Sequence, residues 1–281
     1  MSRIPPPNLV RKEESGDRRL AKVYFIVQKF LKGVRGELFL KKFSPSHLTM
    51  NKTPTAILFD FNGTLFYDAD LHQLAWERFF AVHGFEDPAG EAAKVMRWSG
   101  CTGREIMYRY FDKPDAPLSD ERAVELATEK ESYYRDCCRE RPARMHLAKG
   151  APEFLDALKK KGVPNIIATG SEKTNLQFYF ERELDIGRWF AFEDVVYDDG
   201  SFPGKPAPDI YLLAAKKLGV NPADCVVFED APAGMQSARA AGVGMVVAVA
   251  SAEAGKAFLD EGLADLVIPD FTNAGKILGW A

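Results

Sequence analysis

Several short runs in this chain are apolar at almost every position, and they constrain its fold more than any other feature. They are Ala56–Phe59 (AILF), Asn165–Ala168 (NIIA), Cys225–Phe228 (CVVF), Met245–Ala250 (MVVAVA) and Leu266–Ile268 (LVI). A strand with one wet face alternates polar and apolar residues, whereas these runs do not, so they read as strands buried on both faces. Helix-like segments separate them, at Pro152–Lys161, Thr174–Leu184, Asp209–Leu218 and Ala233–Ala241. Strands and helices in alternation imply a doubly wound parallel sheet of the α/β class, covered by helices on both sides. In such sheets ligands bind beyond the carboxyl ends of the strands.

The pattern changes between Phe66 and Lys149, where no strand-like run occurs. The periodicity there is helical, with Leu71, Ala75, Phe79 and Val82 expected on one buried face. An all-helical insertion after the first strand suggests a cap domain at residues 67–148, set in a core made of residues 50–66 and 149–281. A cap over an open α/β site excludes water and supplies substrate contacts.

Charge narrows the partners. The net charge of −3 hides an uneven division: residues 1–49 carry eleven Lys/Arg against four acids, and the remaining residues sum to −10. An acidic body argues against nucleic acid as a partner. The basic head begins with Pro5, Pro6 and Pro7 and continues into a Lys-interleaved apolar stretch, Ala21–Phe43, which suits a basic amphipathic helix. A membrane-docking arm, a transit segment and an addition lying outside the functional unit are the readings open for it. In the last of these, Met50 is the natural start. The longest apolar runs are about six residues, against the roughly 18 that a membrane span needs. Cys101, Cys137, Cys138 and Cys225 form no CxxC pair, so reduced thiols in a cytoplasmic protein are expected, as a monomer or weak dimer.

Each strand end carries polar residues. Asp60-Phe61-Asn62-Gly63-Thr64 follows AILF, Thr169-Gly170-Ser171 follows NIIA, and Glu229-Asp230 follows CVVF. Lys205 precedes a helix in Gly204-Lys205-Pro206-Ala207-Pro208-Asp209. Taken singly, each is an ordinary turn, cap or surface residue. Together they bring carboxylates to one sheet edge, where they repel one another unless a cation lies between them. An all-oxygen site suits Mg²⁺, and the added hydroxyl and ammonium suit phosphate.

Four stretches then carry a family resemblance: FDFNGTL (59–65), IIATGS (166–171), GKPAPDIY (204–211) and VVFEDAPAG (226–234). In order and spacing the chain resembles the haloacid dehalogenase superfamily, in its β-phosphoglucomutase-like and phosphatase subgroup, over roughly residues 54–270. DADLHQLAW (68–76) resembles the first helix of that family's helical cap. The resemblance implies a Rossmann-like core and Mg²⁺-dependent chemistry on a small phosphorylated metabolite, of the sugar-phosphate kind. It makes Asp60 the nucleophile that forms an aspartyl phosphate. The metal would be held by Asp60, the backbone carbonyl of Asn62, Asp230 and, directly or through water, Glu229. Thr169 and Lys205 would hold phosphoryl oxygens, with Gly63, Gly170 and Ser171 lining the substrate site. In the cap, His72 and Arg104 (within SGCTGRE, 99–105) resemble substrate-facing positions. Halide chemistry is disfavoured by the Glu229-Asp230 pair. A phosphonate-type Schiff base would need a cap lysine, and Lys94, Lys113 and Lys130 sit in no telling context.

One position departs from the family pattern. The family's phosphatases and mutases carry Asp two residues after the nucleophile as general acid and base, and here Asn62 stands there. A carboxamide donates and accepts hydrogen bonds but shuttles no proton at neutral pH, and such proton transfer contributes roughly 10²–10⁴ in rate. Four explanations compete: a compensating acid, for which Asp68 is the candidate; substrates with good leaving groups, such as acyl phosphates; a substitution made to trap an intermediate; and a pseudoenzyme that binds a phosphorylated ligand without turning it over.

Overall fold

The computed structural model describes residues 54–97, 102–181 and 184–278. The expectations for the basic head, for Met50 and for residues 99–101 therefore fall outside the described residues.

The core is a six-stranded, all-parallel sheet in the order β3-β2-β1-β4-β5-β6. Its strands are β1 (Ala56–Phe59), β2 (Asn165–Thr169), β3 (Val196–Tyr197), β4 (Cys225–Glu229), β5 (Met245–Val249) and β6 (Leu266–Ile268). All five expected strands are present. β3 was not anticipated, because only two residues, followed by acids, pair with Ala168 and Thr169 at the sheet edge. β1 lies between β2 and β4, with Phe59 opposite Ile167 on one side and Phe228 on the other. The chain winds outward from β1 in both directions, which opens a crevice at the ends of β1, β2 and β4.

Both faces of the sheet are dry, as the apolar runs required. Ile57, Phe59, Ile167, Val226, Phe228 and Val247 pack on one face, and Ala56, Leu58, Ile166, Ala168, Val227 and Val246 on the other. On the first face the Phe59 and Phe228 rings stack at 5.3 Å, beneath Phe154 and Phe271.

The insertion folds as helices α1 (Ala69–Val82), α2 (Pro88–Val95), α3 (Gly103–Phe111) and α4 (Asp120–Glu140). It has its own core of Trp76, Phe79, Phe80, Ile106, Met107 and Leu126. The buried face of α1 differs from the one expected: Leu71, Ala75 and Phe79 are buried, but Val82 is 64% exposed. The helix serves two cores in turn. Leu71 and Ala75 join the sheet-side cluster, whereas Trp76, Phe79 and Phe80 join the cap cluster, so the apolar stripe rotates between its ends. The two connections to the cap run side by side, with the Ala148 amide donating to the Leu65 carbonyl at 2.8 Å.

After the cap come α5 (Ala151–Lys161), α6 (Lys173–Glu181), α7 (Asp209–Leu218), α8 (Pro232–Ala240), α9 (Ala252–Asp260) and α10 (Ala274–Ile277). Among the described residues no helix is long and apolar enough to cross a membrane.

Candidate active site

β1 delivers Asp60 to the crevice, and the Asp60 amide donates to the Phe228 carbonyl at 3.0 Å, continuing the sheet pairing one residue past the strand. The chain then turns sharply, as the amides of Leu65 and Phe66 both donate to the Phe61 carbonyl. Gly63 sits in this turn at φ +78°, and a Cβ there would lie 2.2 Å from Asp230 Oδ2. Only glycine satisfies both the backbone angle and the close approach. Thr64 Oγ1 donates to Asp230 Oδ1 at 2.9 Å, tying the first motif to the last.

Lys205 bridges two acids. Its Nζ donates to Asp60 Oδ1 and Glu229 Oε1, each at 2.6 Å. Glu229 is held on all sides: Oε1 also accepts from Tyr211 OH at 3.0 Å, and Oε2 accepts the amides of Asp230 and Ala231 at 2.9 and 3.0 Å. A Cβ on Gly234 would fall 1.6 Å from Glu229 Oε1, so this glycine makes room for the carboxylate. Tyr211 and Gly234 both lie inside the quoted motifs, although neither residue type marks a role by itself.

Burial dominates the electrostatics. It raises the Asp60 carboxyl; Lys205 opposes that, Glu229 adds to it, and the result is about 7. Burial, followed by the charges of Glu229 and Asp60, pushes Asp230 well above the usual carboxylate range. Burial alone would lower the Lys205 ammonium, but Asp60 and Glu229 reverse this and hold it well above its ordinary value. Carboxyl oxygens of Asp60, Glu229 and Asp230 lie within 4.8 Å of one another. Crowded, hard, all-oxygen donors with more negative charge than one ammonium neutralises fit a divalent cation.

A second group gathers around Asn62. Its Nδ2 donates to Asp68 Oδ2 at 2.5 Å and to Tyr179 OH at 2.9 Å. Tyr179 OH donates to Tyr134 OH at 2.9 Å, and Tyr134 OH donates back to Asp68 Oδ2 at 2.5 Å. The four side chains close a ring of hydrogen bonds. Asn62 Oδ1 points the other way and accepts from Ser171 Oγ at 2.5 Å. Burial first, and then the Asp68 charge, hold both phenols well above the usual tyrosine value, so they remain donors. Tyr134 comes from α4 of the cap, and Asn62 and Tyr179 come from the core.

The remaining expected residues divide. Thr169 is buried, and its Oγ1 accepts the Ser171 amide at 3.1 Å, leaving the hydroxyl proton for another acceptor. Gly170 is exposed at the end of β2, with open space where a Cβ would stand. His72 stacks on Tyr134 at 3.9 Å and lies 3.4 Å from Asp68 Oδ2 through Nε2. Lys130 Nζ lies 2.8 Å from His72 Nδ1. An ammonium only donates, which places the imidazole proton on Nε2, toward Asp68. Lys130, which had no telling context in the sequence, is 2% exposed and also pairs with Glu131 at 2.8 Å. Arg104 is exposed on the first turn of α3 and is not drawn into the acid cluster. Its neighbour Thr102 does reach the core, 3.2 Å from the position of a Cβ on Gly204, beside Lys205. A separate open depression of about 690 Å³, at the β3 edge near Lys173, Tyr197 and Leu213, contains none of these groups.

A family model for haloacid dehalogenase-like hydrolases matches residues 54–242. The chain belongs to this family. It is 30% identical over 221 residues to protein CbbY of Rhodobacter capsulatus, covering 78% of this chain and 94% of that protein. It is 30% identical over 192 residues to fructose-1-phosphate phosphatase YqaB of Escherichia coli, covering 68% and 94% of the two chains. A solved family IA, variant 3 hydrolase from Entamoeba histolytica superposes with a TM-score of 0.67 at 34% identity, over 80% of this chain and 98% of that one. Family membership makes the chain a hydrolase, and the six-stranded parallel sheet with its helical cap is the family's architecture.

Proposed function

We propose that this hydrolase is a Mg²⁺-dependent phosphatase of small phosphomonoesters of the sugar-phosphate kind, working through an aspartyl phosphate on Asp60. One observation carries the reading: Asp60, at the end of the central strand, shares Lys205 with Glu229 at 2.6 Å on each side. A carboxylate at the strand end beside a fixed ammonium can attack phosphorus while its neighbour neutralises the incoming phosphoryl charge. CbbY and fructose-1-phosphate phosphatase as relatives support the substrate class.

The roles follow from the placements. Asp60, Asp230 and the Asn62 carbonyl would hold Mg²⁺, with Glu229 nearby orienting Lys205. The metal, when bound, supplies charge stabilisation for the phosphoryl oxygens. Lys205 and the Thr169 hydroxyl bind those oxygens, with Gly170 leaving space at the strand end. Gly63 brings the Asp60 turn against Asp230. Ser171 fixes Asn62, and Arg104, near the Thr102 contact with the core, faces the substrate's distal part. Asp68 takes a positioning role rather than that of an acid reaching the leaving group, because its Oδ2 already accepts from Asn62 and Tyr134. His72 steadies it from the cap side. The described cysteines Cys137, Cys138 and Cys225 are free and buried, in keeping with a reducing, cytoplasmic setting.

The test is phosphate release from a panel of sugar phosphates and a generic aryl phosphate, with and without Mg²⁺, at catalytic and at stoichiometric enzyme. Release that needs Mg²⁺ and vanishes in Asp60→Ala supports the reading. Thermal stabilisation by a sugar phosphate with no release at either enzyme level overturns it in favour of a binding-only protein, the alternative that Asn62 raises.

A further inference from the structure

The residues around position 62 are built for a carboxamide. Both N–H groups of Asn62 are used, one on Asp68 and one on Tyr179, and its oxygen is used by Ser171. An aspartate there would set its carboxylate oxygen 2.5 Å from Asp68 Oδ2, two like charges in a pocket whose other walls are Tyr134 and Tyr179, both fully buried. Asn62 thus belongs to this chain's design, because Asp68 and the tyrosine pair complement it. The neighbouring carboxylates have partners of their own. Asp60 is the nucleophile, Asp230 accepts from Thr64 and stands in the acid cluster, Glu229 has both oxygens engaged by Lys205, Tyr211 and two amides, and Asp68 Oδ2 accepts from Asn62 and Tyr134.

We infer that this protein separates the two halves of phosphatase chemistry: it forms the phosphoryl-Asp60 enzyme readily from phosphates with good leaving groups, and then holds it. The inference rests on the reading of Asp60 as nucleophile. In the first half an Asp60 carboxylate oxygen bonds to phosphorus as the bond to the leaving oxygen breaks. The leaving oxygen departs with the electron pair and needs no proton when it is far less basic than an alkoxide, as for an acyl phosphate or a nitrophenyl phosphate. In the second half a water oxygen bonds to phosphorus and the Asp60 carboxylate is released. The water's proton then has no basic side chain at position 62 to receive it and passes to bulk buffer. A general base contributes roughly 10²–10⁴ in rate, so the second half slows by about that factor and the phosphoenzyme accumulates. A sugar phosphate, whose alkoxide leaving group needs a proton, loads Asp60 more slowly than an acyl or aryl phosphate does, and the stored product is a protein acyl phosphate able to give its phosphoryl group to an acceptor better than water.

The experiment uses the full-length chain with Mg²⁺ and p-nitrophenyl phosphate, following nitrophenolate from the first turnover and the intact-protein mass after acid quench. The expected result is a burst near one equivalent per enzyme, a slow steady state, and an added phosphoryl mass that maps to the Asp60 peptide and is discharged by hydroxylamine. The swapped variant Asn62→Asp/Asp68→Asn, which keeps one carboxylate and one carboxamide in the ring, should lose the burst and raise the steady-state rate by about 10²–10⁴. Steady phosphate release by the natural chain with neither burst nor adduct overturns the inference while leaving the phosphatase reading intact. A burst and adduct that persist unchanged in the swapped variant overturn it as well, because residue 62 would then not set the lifetime. Absence of nitrophenolate, phosphate and adduct from both proteins instead removes the phosphatase reading on which the inference stands.

Discussion

The hydrogen-bond ring makes a quantitative statement about stability that can be tested without substrate. Asn62→Asp removes two donors, one of them to a charged acceptor, and sets two carboxyls at 2.5 Å. A hydrogen bond to a charged group contributes roughly 1.5–3 kcal/mol and a neutral one about 1 kcal/mol, so a loss of about 3 kcal/mol is expected. The loss should deepen with rising pH, since the two carboxyls can then no longer share a proton. Asp68→Asn keeps an acceptor for Asn62 and Tyr134 but removes the charge behind both bonds, at a cost of about 2 kcal/mol. The double variant restores one anion and one amide. The cycle should therefore close with a favourable coupling of about 0.5–3 kcal/mol, the range found for residues in one network. Urea unfolding of the four proteins, monitored by circular dichroism at two pH values, gives each corner. If the two single losses simply add in the double variant, position 62 is indifferent to Asp68 and the complementarity argument fails.

Other expectations follow from the same geometry. Lys205→Met leaves two buried carboxyls without their counter-charge; breaking such a pair costs about 3–5 kcal/mol, which at roughly 2–4 °C per kcal/mol lowers the melting temperature by ~6–20 °C, and unchanged melting would contradict the bridge. Asp60 is raised by burial to about 7, and Asp230 is raised in the same direction. Their protonated forms favour the fold, so their contribution is full below about pH 4 and is lost as pH rises through about 7. Melting in chelator should thus fall across that window, and Mg²⁺ should restore more at its upper end; equal Mg²⁺ effects at both ends would refute this. Gly63→Ala and Gly84→Ala place a Cβ at φ +78° and +77°, but only the first meets Asp230, and a Cβ at Gly84 meets nothing within 4 Å. Both should lose about 1–2 kcal/mol to backbone strain, and only Gly63→Ala should also lose its Mg²⁺-dependent thermal shift.

Much of this molecule was legible because its information is local. A strand buried on both faces must be apolar throughout, so β1, β2, β4, β5 and β6 announced themselves, and the acids at their ends pointed to the crevice. β3 did not, because two residues carry no pattern. Val82 misled because helical spacing shows that a stripe exists but not that α1 divides it between two cores. The ring around Asn62 was illegible for a different reason. Its members at 62, 68, 134 and 179 come from a turn, the start of α1, the cap and the core, and Tyr134 and Tyr179 have no sequence context that marks them. The sequence shows the position of Asp68 but not its partners, and it is the partners that decide its role. Lys130 shows the same limit: a lysine on a charged helix reads as solvent-facing until the imidazole and Glu131 on either side are seen.

The placement of β1 also bears on how the chain is made. This strand is translated first among the six, yet it pairs with β2 and β4, the latter beginning at Cys225, about 165 residues downstream. At roughly 5–20 residues per second of synthesis, the four apolar residues of β1 wait ~8–30 s for their second neighbour. The helical insertion that follows has a core of its own, although Leu71, Ala75 and Tyr134 of its helices pack into the sheet-side cluster, so its cap core can gather at the ribosome while the sheet is still missing its middle. The central strand is therefore the oldest part of the sheet and among the last to be covered, and a nascent-chain chaperone that recognises short apolar segments would find its target at residues 56–59.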